Sequence, residues 1–180
     1  IDLERALQER LGELKELFGV LQQAAGDARG NFDTSVTQIQ FPGRGEWLTE
    51  FAQNMVSTTR MPTLEEIERI WFELQCEMTE SAKVRLVNTT VVNANGKEEV
   101  RDVVRVGLFN VVSDGKYLEY VPETGRLVEL QRQPQSRYTS RAADLQNASG
   151  GQNGFAVDPT RGQLLALLVQ SPSLAERIAQ

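Results

Sequence analysis

The sequence has no histidine and a single cysteine, Cys76. Without histidine, Ser-His-Asp and Cys-His catalysis are excluded, and the commonest imidazole metal ligand is missing. One thiol forms no intrachain disulfide, leaves the redox compartment open, and is a poor start for a zinc site. Positive charge is also in short supply. Nineteen Lys and Arg against 25 Asp and Glu leave a net charge of −6, whereas a nucleic-acid binder needs a dense basic face. No apolar run approaches the roughly 18 residues of a membrane helix, the longest being "LLALLVQ", Leu164 to Gln170. The glycine motifs of dinucleotide and P-loop sites are absent as well.

What is present is the composition of a soluble globular chain, 40% hydrophobic and 24% charged, so a real core is expected. At 180 residues there is room for one ordinary domain with a helical arm. The chain starts mid-pattern at Ile1, without a leader, and reads as a piece of a longer protein.

Leu7, Leu11, Leu14, Phe18 and Leu21 are spaced 4, 3, 4, 3, the alternation of a heptad stripe. An amphipathic helix is expected over residues 1 to about 25, either packed on its own domain or self-associating through that stripe. "GDARGNF" is expected to break it, and "FPGRGEW" breaks the chain again. Trp47, Leu48, Phe51, Ala52 and Met55 mark a second helix between Glu46 and Thr59. Thr63 with Glu66 fits a capping box. A third helix therefore runs to about Glu80, with Leu64, Ile67, Ile70, Trp71, Leu74 and Met78 on one side. Trp71, Phe72, Leu74 and Met78 are expected to be packing residues.

From Ala82 the period changes to two and β-branched residues concentrate in "VRLVNTTVV". "NANG" signals a tight hairpin, "EVRDVVRVGLFNVV" a long returning strand, "SDGK" a turn, "YLEYV" a third strand, "PETG" another turn and "RLVELQR" a fourth. A short helix is expected near Thr139 to Asn147, then a flexible "SGGQNG". Asp158-Pro159 and Ser171-Pro172 read as helix starts. The fold class is α+β: N-terminal amphipathic or coiled-coil helices, a four-stranded antiparallel meander, and C-terminal helices. It divides into a helical arm and bundle (1–80), the meander (81–133), and a polar loop with C-terminal helices (134–180).

Candidate chemistry is thin. Cys76 sits on the third helix with no basic neighbour to acidify it, and reads as a small packing residue. Glu65/Glu66 open a helix and Glu98/Glu99 flank a turn, where carboxylates complement a dipole or face water. "NTT" and "NAS" match glycosylation triplets short enough to arise by chance. No cofactor is implied. Two interaction candidates remain: the stripe Leu7, Leu11, Leu14, Phe18 and Leu21, and an exposed hairpin tip at Asp114, Gly115 and Lys116. A strand of "FNVVSDGKYLEYV" could also receive a partner strand.

Taken together, "LFGVLQQAAGDARGNF", "FPGR", "WFELQCEMTESAKV", "VVRVGLFNVVSDGKYLEYVPETGRLVELQRQP" and "FAVDPTRGQLLALLVQSPSLAERI" resemble one family. It is the N-terminal extracytoplasmic region of a branch of the MotA/TolQ/ExbB proton-channel proteins, the TtpC-like components of TonB systems. The resemblance spans about Leu17 to Gln180. It implies a periplasmic domain of a bacterial inner-membrane protein, preceded by a signal peptide and more coiled coil. Membrane helices would follow Gln180. Such systems use the proton motive force to drive TonB-dependent uptake of iron chelates through the outer membrane. Implied partners are ExbB/ExbD-like and TonB-like proteins, with a homo-oligomer possible through the N-terminal helix and membrane association only through segments outside this chain. The family's channel residues lie in the membrane helices, so none transfers here. The competing readings are a periplasmic small-ligand sensor, with a pocket formed by the sheet and "SGGQNG", and an enzyme of unfamiliar type.

Overall fold

The computed structural model describes residues 2–57, 62–158 and 160, with residues 2–11, 13–15, 56 and 57 described by backbone alone. The chain forms two compact units. One comprises residues 1–34 and 41–77, the other residues 35–40 and 78–180.

The first unit is helical: α1 (Asp2–Asp33), α2 (Arg44–Ser57) and most of α3 (Leu64–Ser81). The expected break at "GDARGNF" does not occur, and α1 continues to Asp33. Its last turns place Ala25, Ala28 and Phe32 in a core with Leu48 and Phe51 of α2 and Ile70 of α3. Burying that stripe outweighs the cost of about 1 kcal/mol for each glycine in a helix interior. Thr63 does cap α3 reciprocally with Glu66: the Thr63 N–H donates to Glu66 Oε2 at 2.8 Å, and the Glu66 N–H to Thr63 Oγ1 at 3.2 Å. Only part of the third helix's expected apolar side is buried. Ile70 and Leu74 face the core, whereas Trp71 and Phe72 are 65% and 63% exposed and Leu64 and Met78 are exposed too. The helix carries two apolar stripes, and periodicity alone merged them.

The second unit is a barrel rather than a four-stranded antiparallel meander. Five strands, β1 (Val84–Val92), β2 (Glu98–Val106), β3 (Asn110–Ser113), β4 (Lys116–Val121) and β5 (Arg126–Glu129), close in sequence order. The expected long second strand is two. Gly107, at φ +56, turns the chain between Val106 and Asn110, and the Gly107 N–H donates to the Lys83 carbonyl at 3.0 Å. The extra strand changes the topology. Five strands joined by hairpins alternate in direction, so the first and last point the same way and meet as a parallel pair, Val91 with Leu127 and Val92 with Val128. All other pairs are antiparallel.

The barrel interior is built on Val91, Val103, Val111, Leu118 and Leu127, one from each strand, with Val87 and Tyr120 packed against them. Val36, from a short 3-10 helix that was not anticipated (Val36–Ile39), packs among them. Ser35 caps that turn, its Oγ accepting the Thr37 N–H. Alternate residues point outward, and Val104, Val112 and Tyr117 form a second core with Leu130 and with Ala142 of α4 (Ser136–Gln146). The short helix expected near Thr139 to Asn147 is therefore present and starts a turn earlier. The helices expected after Asp158 fall almost wholly outside the described residues. At their start, Asp158 Oδ1 accepts the Thr160 N–H at 2.9 Å.

Candidate functional site

Of the expected self-association stripe, the side chains of Leu7, Leu11 and Leu14 lie outside the described residues, and Phe18 and Leu21 are half-buried. Leu17 and Val20 beside them are exposed. The hairpin tip is only partly an exposed tip. Asp114 and Lys116 face solvent, but Gly115 is buried beneath α4, where an added Cβ would lie 3.1 Å from the Thr139 carbonyl. The Asp114 N–H donates to Gln146 Oε1 at 2.6 Å, and Lys116 Nζ pairs with Glu129 at 2.6 Å. α4 packs on the outer faces of β3 and β4, so the turn between them is a docking point for the protein's own helix.

Two arginines were missed as structural centres, although one of them, Arg105, interrupts the apolar run "VVRV". Arg44 in the helical unit is buried, ion-paired with Glu77 at 3.0 Å and stacked over Phe32 at 4.5 Å. Arg105 is fully buried at one end of the barrel. It donates to Gln40 Oε1 at 2.6 Å, to the Glu80 carbonyl at 2.9 Å and to the Gly107 carbonyl at 2.7 Å, and it pairs with the Glu80 carboxylate. The hydrogen bond from Lys83 and the charges of Lys83 and Arg105 hold the Glu80 carboxyl below its ordinary range despite burial. At the other end, Arg101 bridges Glu99 at 2.7 Å and Glu129 at 3.3 Å. Its hydrogen bond lowers the Glu99 carboxyl, and Glu99 in turn raises the Arg101 guanidinium. Both clusters are networks of ion pairs toward the ends of a small barrel.

Cys76 is half-buried on α3. Among the described residues no three metal-ligating side chains come together, and no helix is long and apolar enough to cross a membrane.

A cleft of about 390 Å³ opens between α4 and the segment after the glycine-rich loop, lined by Arg137, Tyr138, Arg141, Gly154, Phe155 and Ala156. Its far wall is fixed: the Phe155 ring stacks on Tyr117 at 5.6 Å, the Tyr117 hydroxyl donates to the Ala156 carbonyl at 3.2 Å, and the Asp158 N–H donates to Asn110 Oδ1 at 2.8 Å. Burial, and to a lesser degree Tyr138, pushes the Tyr117 phenol up to about 12. The phenol therefore stays protonated and holds the wall at any ordinary pH. The near wall is α4, which places Arg137 and Arg141 one turn apart. Arg137 lies over the Tyr138 ring at 4.5 Å and donates to its hydroxyl at 2.7 Å. The sequence signal for this cleft was "SRYTSR", two arginines at helical spacing around a tyrosine. No family model, no curated protein and no solved structure matches the chain.

Proposed function

We propose that this chain is a non-enzymatic periplasmic scaffold domain of an ExbB-like, TtpC-like inner-membrane protein, helping to couple the proton motive force to TonB-dependent uptake of iron chelates. The reading rests on the sequence resemblance. The structural observation that carries it is the outer side of α3, where Leu64, Trp71 and Phe72 are 71%, 65% and 63% exposed. Leu64 and Trp71 lie two turns apart on one line of the helix. Aromatic side chains of this size are enriched at protein interfaces, and an exposed cluster of them marks a binding face. The described ion pairs are spent on the fold, in keeping with a domain that docks and organises.

The test is light scattering on the 180-residue chain, alone and mixed with the periplasmic domains of its ExbD-like and TonB-like neighbours, with Trp71→Glu alongside. A mixed complex or defined oligomer that Trp71→Glu weakens is the expected result. A monomer that ignores both neighbours overturns the proposal. The second reading, a small-ligand binding domain, is favoured by one observation: the cleft at the end of the loop that the sequence assigned to a pocket.

A further inference from the structure

The cleft beside α4 carries a more specific assignment. Arg137 and Arg141 are both exposed and converge on it, and among the described residues neither has a carboxylate within ion-pair distance. Arg29, Arg44, Arg69, Arg101, Arg105 and Arg126 each reach an Asp or Glu, whereas Arg85 on the barrel, like Arg137 and Arg141, shows no ion pair among the described residues. The Arg141 guanidinium lies close to the Gly154 backbone: a Cβ at residue 154 would sit 2.8 Å from Arg141 Nη1. Tyr138 on the near wall and Phe155 on the far wall supply aromatic surface beside the charges. Two planar donor forks one helical turn apart match a carboxylate, and aromatic walls match an apolar body attached to it.

The geometry points to a binding site for a small organic acid, its carboxylate held by Arg137 and Arg141 and its apolar body against Tyr138 and Phe155. The volume suits a small molecule better than a folded partner. The assignment rests on the small-ligand reading and is independent of the scaffold reading. Binding should weaken with added salt.

The experiment is a nuclear magnetic resonance titration of the 15N-labelled chain with 4-phenylbutanoate, its neutral amide, inorganic phosphate, and a short peptide ending in a phenylalanine carboxylate. The expected result is saturable shifts of the Gly154, Phe155 and Ala156 amides with the free acid. The amide and phosphate should bind at least about tenfold more weakly, as should the acid to Arg137→Gln and to Arg141→Gln, since each loses a charge-assisted hydrogen bond. Both arginines are exposed, so the variants should keep the parent's amide spectrum elsewhere. Equal binding of acid and amide, or of variants and parent, would leave a ligand cleft but overturn its acid specificity. Tighter binding of phosphate or of the peptide would overturn the ligand class. Absence of saturable shifts with every probe would overturn the small-ligand reading itself.

Discussion

Arg105 and Glu80 form the most consequential pair of single residues in the barrel unit, because the Arg105 side chain is fully buried and that of Glu80 is only 8% exposed. Arg105→Met leaves Glu80 with Lys83 alone and strands the Gln40 and Gly107 acceptors, and should cost about 3–5 kcal/mol in urea denaturation. Arg105→Met with Glu80→Leu should recover part of that loss, since it removes both charges; equal losses in the single and double variants would contradict the pairing. The same contacts set a pH dependence. Glu80 ionises more readily in the fold than in the unfolded chain, so its contribution is complete above the unfolded value, about 4.3. It is lost as pH falls through the lower folded value. Measured from pH 6 down to 3, the stability gap between the parent and Glu80→Gln should shrink, and a constant gap would remove Glu80 from the linkage. At the helical unit, Phe32→Ala should cost about 3–5 kcal/mol because Phe32 is 1% exposed. Trp71→Ala should stay within about 0.5 kcal/mol, as exposed substitutions do. Comparable losses for the two would place Trp71 in the core after all.

Among the elements, hairpins and caps were readable because their residues act locally. "NANG" works through Asn93, whose Oδ1 accepts the Asn95 and Lys97 N–H groups at 3.0 Å, and Thr63-Glu66 works through two reciprocal bonds. The break between β2 and β3 was less readable, because "VVRVGLFNVV" has no turn dipeptide such as Asn-Gly and its burial continues on both sides. Gly107 was the one signal, since an isolated glycine in a strand pattern marks a bend or a close backbone approach. Both apply: its φ is +56, and a Cβ there would meet the Ser81 carbonyl at 2.5 Å. Gly107→Ala should therefore lower stability by more than about 1 kcal/mol, and an unchanged melting temperature would rule out that constraint. Other features depended on distant partners. The run of α1 through four glycines of poor propensity, the plug at Val36 and the role of Arg105 all come from contacts far along the chain. The two-arginine cleft was legible only as "SRYTSR", because its other wall arrives from Gly154 to Ala156.

At the scale of the whole molecule, the helical unit has one apolar core and the barrel unit has two, one inside the barrel and one on its outer face. The barrel has one weak line. β1 and β2 pair from Val84 with Val106 through Val92 with Glu98, whereas β1 and β5 share only the pairs at Val91 and Val92. Backbone amides in that short closure should exchange with deuterium faster than those at Val103 and Val104, as sparsely bonded regions do. Slower or equal exchange would mean the closure is held by more than its ladder. Because the closing strands run parallel, the chain enters the barrel at Val84 near one pole and leaves it after Glu129 near the other. A mechanical pull on the two flanking segments would thus load the Val91–Leu127 and Val92–Val128 pairs in shear, both at once, instead of unzipping them in turn.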